Sequence, residues 1–137
     1  MEKNLILLPA AAMMILTLFL YAKNYFDNQK AKKAKVIKFS YFKMYKGDVP
    51  DYVAVSRQTL KNQFELPIFF YFLTATILAF DKVSQLDIIF AWIFVVSRYL
   101  HCYIRLNSNY VPSRAKVFQL GMFVLVVWWT VFLVNIF

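Results

Sequence analysis

Val117–Phe137 reads VFQLGMFVLVVWWTVFLVNIF, without a single charge. A bilayer core about 30 Å thick is crossed by about 20 helical residues, which is the scale of this run. A helix satisfies every backbone N–H and C=O within its own segment, which hydrocarbon demands. Apolar and polar residues do not alternate here, as they would along a barrel strand. The stretch therefore reads as a transmembrane helix.

Three further stretches follow the same logic. Leu5–Ala22 carries no charge from end to end. Leu66–Phe80 is also uncharged, though shorter, and continues a polar, helix-compatible run from about Tyr52. Leu86–Arg105 is long enough to cross and has charge only towards its ends. The chain has room for one domain, and 61% of it is hydrophobic. Soluble domains average about 45–50% apolar residues. A chain this small has no core large enough to hide the excess, so lipid must cover it. The expected fold is an all-α integral membrane four-helix bundle in one domain, 1–137. Its helices are expected at about 5–22, 52–80, 86–105 and 114–136, with a cytoplasmic loop at about 23–51 whose first half is able to extend the first helix.

Charge sets the orientation. Lys23–Lys61 holds ten of the sixteen basic residues, and Arg98, Arg105, Arg114 and Lys116 cluster around the later turn. The other side holds Lys3 and Lys82. The basic side faces the cytoplasm, so both termini are expected on the non-cytoplasmic side, of a bacterial inner membrane. Leu5–Ala22 is preceded by Glu2 and Lys3 and followed by a lysine-rich loop, which opposes reading it as a cleaved signal. The lysines from Lys30 to Lys38 suit anionic lipid headgroups, and no nucleic-acid partner is expected. Asp51 and Ser113 are the expected caps of the second and fourth helices. Pro67 is expected to kink the second.

The chemistry-bearing residues gather at the cytoplasmic ends of the second and third helices. Arg57, Lys61 and Glu65 recur every four residues, which puts them on one helical face bordered by Asn62. The plain reading is two snorkelling cations neutralised by a carboxylate. The sharper one is a polar site, because Glu65 meets the hydrocarbon edge, where a carboxylate is costly without a partner. Arg98, His101 and Arg105 share a second face. The uncharged run Ile88–Ser97 that precedes Arg98 is too short to cross alone, so Arg98 must sit below the membrane surface or snorkel towards it. Guanidinium forks match carboxylates, so this stripe suits an anionic ligand or, read plainly, a solvated basic helix end. Cys102 is the single cysteine. It lies about 100° from the His101 face, and neither a disulfide nor a metal site is expected.

Arg57-x4-Asn62-x2-Glu65-x-Pro67 resembles the second-helix signature of the MAPEG family, the membrane-associated proteins in eicosanoid and glutathione metabolism. The run through Tyr71 is similar to its bacterial branch. Arg98-x2-His101, with Pro112-Ser113-Arg114 downstream, resembles the third-helix and turn motif. The resemblance covers almost the whole chain. It implies a homotrimer with glutathione bound between subunits near the cytoplasmic face. It further implies that Lys61, Asn62, Glu65, Arg98 and His101 bind or brace glutathione and that Arg114 is the catalytic residue stabilising its thiolate. A free thiol has a pKa near 8.5, which falls beside a cation.

The implied function is a membrane-bound glutathione-dependent transferase or peroxidase. Glutathione would be the cosubstrate and a small lipophilic electrophile would arrive through membrane lipid. The alternative is a non-catalytic lipid-binding or partner-scaffolding protein of the same fold. Two departures favour the alternative, since Arg105 and Phe118 stand where the prostaglandin-synthase branch has tyrosines. A small multidrug-type transporter is opposed by the lack of a carboxylate in Leu5–Ala22.

Overall fold

The computed structural model describes residues 3–137, and within them every regular element is helical. A 3-10 turn, Lys3–Ile6, leads into α1, Leu7–Lys33. A short helix α2, Tyr41–Met44, precedes α3, Asp51–Lys61. A 3-10 turn, Asn62–Phe64, separates α3 from α4, Leu66–Ala79. Helix α5 spans Gln85–Leu106, and α6 spans Val111–Ile136. Three helical stretches are long and apolar enough to cross a membrane: Lys3–Lys33, Gln85–Leu106 and Val111–Ile136. The chain is an integral membrane protein.

Helix α1 runs well beyond its apolar stretch and is longer than the hydrocarbon needs. Ala31, Tyr41 and Val53 bury against one another where the connecting segment folds back between α1 and α3. Pro50, not Asp51, is the residue preceding α3, and Asp51 sits in its first turn. There its carboxylate still complements the helix dipole. Helix α6 likewise begins ahead of Ser113, at Val111, with Pro112 in its first turn and no side-chain cap. Proline is pre-organised for that position because its missing N–H is unpaired there in any residue.

The expected continuous helix over 52–80 is broken at the lower edge of its apolar half. The proline ring at Pro67 clashes with the carbonyl four residues back, and it disfavours helical backbone at Leu66. The chain answers upstream. Residues Asn62–Phe64 tighten into a 3-10 turn, and Glu65 leaves the helical region at φ −105°, ψ −99°. The four-residue stripe Arg57–Lys61–Glu65 therefore dissolves, because helical spacing ends at Lys61. Arg57 instead lies over the Tyr45 ring, 3.1 Å from its centroid. Helix α4 alone is too short to cross the hydrocarbon by itself.

Helix α5 begins with a reciprocal cap. The Ser84 hydroxyl accepts from the Asp87 N–H, and the Asp87 carboxylate accepts from the Ser84 N–H at 2.8 Å. The same buried carboxylate takes the Trp128 indole N–H at 2.7 Å, tying α5 to α6. Further along this contact Gly121 permits close approach. A Cβ there would lie 2.7 Å from the Ser97 hydroxyl oxygen. Phe70 stacks on Phe94 with centroids 4.9 Å apart, and Leu16, Leu20, Leu73, Ile77 and Leu125 join them in the core. Lys3 pairs with Asp81 in the α4–α5 turn, so the start of the described chain and that turn share one end of the molecule. The α5–α6 turn and the lysine-rich segment lie at the other.

Candidate functional site

The break before Pro67 has a consequence for the polar residues. It turns Asn62 and Glu65 towards the ends of α5 and α6, where a cleft of about 340 Å³ opens. Asn62, Glu65, His101, Arg105, Arg114, Ala115, Phe118 and Gln119 line it. With its amide oriented to satisfy both neighbours, Asn62 donates to the Glu65 carboxylate at 3.1 Å and accepts from an Arg105 Nη at 3.1 Å. The second Arg105 Nη donates to Gln58 Oε1 at 2.7 Å. Arg114 donates to the Asn109 side chain. No ion pair engages Glu65 among the described residues, so the neutralising role expected of it towards Arg57 and Lys61 is not seen.

Arg98 lies behind the cleft wall. It is wholly buried and does not snorkel to the surface. Its guanidinium sits over the Phe118 ring, 5.5 Å from the centroid, and the His101 ring packs against the same phenyl at 5.8 Å. Nε, Nη1 and Nη2 of Arg98, Nδ1 of His101 and Nε of Arg105 are buried without a hydrogen-bond partner. A buried cation with unmet donors is costly in a low-dielectric interior. The cleft brings two guanidinium groups and an imidazole around one carboxylate, with the Arg98 guanidinium behind Phe118, and such a set can receive an anion.

Of the residues singled out in the sequence, Asn62, Glu65, His101 and Arg114 meet in one cleft, with Arg98 abutting it through Phe118. Lys61 is exposed and does not line it. Arg105 and Phe118, read from the sequence as departures from a pattern, both form its walls. Gln119 also lines the cleft, and nothing in the sequence marked it. Cys102 is buried, with the Gln63 amide 3.4 Å from its sulfur. None of the tyrosines near the motif lines the cleft, and the Tyr99 hydroxyl donates to the Ala12 carbonyl at 2.7 Å.

A second, apolar groove of about 450 Å³ runs between α1 and α5, bounded by Leu16, Phe19, Tyr99, Cys102, Tyr103 and Leu106 among others. The molecule is thus a helical membrane protein with a cationic cleft at one rim and an apolar groove beside it. The MAPEG family model matches residues 6–134, and the chain belongs to the MAPEG family. No curated protein and no solved structure matches it.

Proposed function

We propose that this protein is a glutathione-dependent transferase or peroxidase for small lipophilic electrophiles, working as a homotrimer of four-helix bundles. The observation that carries the reading is the pair of guanidiniums on the cleft wall, Arg105 and Arg114, beside His101, with the wholly buried and unpaired Arg98 behind Phe118. Glutathione offers two carboxylates, and charge-assisted hydrogen bonds to them supply acceptors for the cleft-wall cations, with Arg98 reached only where a carboxylate passes Phe118. Asn62 and Glu65 brace the cleft and offer acceptors to the glutathione ammonium. Arg114, in the first turn of α6, holds the thiolate. No side-chain nucleophile is needed, since the bound thiolate attacks and the membrane delivers the electrophile. Glu65 is exposed in the single chain, and a neighbouring subunit would shield it from lipid.

In this reading α3 and α4 together make a fourth crossing. The basic rim faces the cytoplasm of a bacterial inner membrane, and both termini lie outside. A cysteine introduced at Asp48 in a Cys102→Ala background should react with impermeant maleimide only after the cells are opened. Labelling in intact cells would invert the topology.

The apolar α1–α5 groove supports a second reading, a non-catalytic lipid-binding or scaffolding protein, because it suits an acyl chain. Turnover separates the two. Purified protein in detergent should conjugate glutathione to a chloronitrobenzene or reduce a lipid hydroperoxide well above the uncatalysed rate. Binding of glutathione without either reaction would favour the scaffold.

A further inference from the structure

The lysine-rich segment holds a second cationic pocket, away from the cleft. From Lys30 to Asp48 the chain carries seven lysines and a single acid, Asp48. The lysines are not equivalent. Lys30 lies over the Tyr52 ring at 4.9 Å and Lys32 over the Phe42 ring at 4.6 Å, so both are engaged within the fold. Lys35, Lys38 and Lys46 instead converge, with Ser40 and Gly47, on a pocket of about 420 Å³. The backbone brings them together. Lys35 and Tyr45 take left-handed conformations at φ 55° on either side of α2, and Gly47 does so at φ 119°. Asp48 also lines the pocket, yet neither ion pair among the described residues involves it or these three lysines. Val36, Phe39 and Met44 stand exposed in the same hairpin, Phe39 at 79%.

We propose that this pocket binds the phosphate of one anionic phospholipid, drawn from the leaflet that the basic end of the molecule faces. The position of the hairpin favours a lipid over a soluble phosphate. The Tyr45 ring lies on Arg57, about 13 Å of helix before Leu66, where the apolar run begins. The polar zone of a bilayer is about 5–8 Å deep on each side, and surface charge is felt about 8 Å beyond it at physiological salt. The three unpaired ammonium groups therefore stand within electrostatic reach of the headgroups. Exposed aromatic and aliphatic side chains beside cations suit an interfacial contact, and a soluble anion has no use for them. Each lysine near an anionic surface strengthens binding about fivefold, so three acting on one headgroup give on the order of 100-fold.

The test is native mass spectrometry of the full-length protein in detergent, titrated with phosphatidylglycerol or with phosphatidylcholine of the same acyl chains. Wild-type protein should hold one phosphatidylglycerol at least about tenfold more tightly than phosphatidylcholine. Replacing the pocket lysines together, Lys35→Gln, Lys38→Gln and Lys46→Gln, should bring that preference to within about threefold of unity. Lys30→Gln, Lys33→Gln and Lys43→Gln together remove the same charge outside the pocket and should leave most of the preference in place. All six lysines are exposed, so both triple variants should fold. Soluble glycerol phosphate at about 10 mM, beyond the useful range of Kd, should not displace the lipid. A wild-type preference near one would overturn the proposal. Equal losses in the two triple variants would also overturn it, by reducing the pocket to diffuse surface charge. Displacement by glycerol phosphate would overturn the lipid assignment and make the pocket a site for a soluble phosphate. The wild-type preference and the displacement arm need no variant, so they decide the matter even if a triple variant is lost.

Discussion

Replacing Arg98 by Met should make the ligand-free protein more stable and weaken its binding of glutathione. The guanidinium is wholly buried, touches an aromatic face and leaves all its nitrogens without a hydrogen-bond acceptor. Exchanging an uncompensated buried ion for an apolar side chain of similar length is typically neutral or stabilising by about 1–4 kcal/mol. The same change deletes at least one charge-assisted hydrogen bond to a bound carboxylate, which weakens binding on the order of 10–100-fold. Thermal unfolding in detergent, with and without glutathione, reads both effects. Wild-type protein should gain stability from the ligand, and the variant should start higher and gain less at the same glutathione concentration. A variant several kcal/mol less stable than wild type would mean that Arg98 is already paired in the assembled protein.

The second large effect belongs to Arg114. Replacing it by Ala should leave the fold intact, because its side chain reaches only the turn residue Asn109. The bound thiolate, however, loses a cation. Its pKa should climb towards the free value of about 8.5. Turnover at neutral pH should fall on the order of 10²–10³-fold, the range seen when one donor to a reacting anion is removed. The sign in pH follows directly. Rate depends on the thiolate, so the rising limb of the pH–rate profile should move to higher pH, and part of the loss should return in alkaline buffer. A uniform loss at every pH would place Arg114 in substrate positioning instead.

The fold and the site differ in how far the sequence reveals them. Apolar runs such as Leu5–Ala22 and Val117–Phe137 declare their state directly, because hydrocarbon allows few alternatives for the backbone. The three-and-four spacing of Arg98, His101 and Arg105 likewise predicts a shared face, and α5 keeps all three on it. Helical spacing misled where the helix stops. Arg57, Lys61 and Glu65 look collinear only if helix continues through Glu65. Pro67 signals a disturbance but not which upstream residues absorb it. The far end of α1 is hidden for a different reason. Lys30, Ala31, Lys32 and Lys33 are good helix formers, yet their charge reads equally well as loop, and only burial of Ala31 against Tyr41 and Val53 settles it.

Arg105 and Phe118 show a second kind of blindness. Set against a family motif they register only as missing tyrosines. In three dimensions one is the bridge between Gln58 and Asn62, and the other is the ring that separates Arg98 from the cleft. A one-dimensional pattern records what a position lacks. The contacts record what it holds.

Calorimetric titration of glutathione into the purified protein tests the central claim most directly. The charge and unmet donors of the cleft predict saturable binding with a Kd between about 1 μM and 1 mM, weakened by Arg98→Met. Absence of heat and of any thermal stabilisation at about 10 mM glutathione, near the limit of useful affinity, would contradict the account and leave the apolar groove between α1 and α5 as the better guide to what this protein binds.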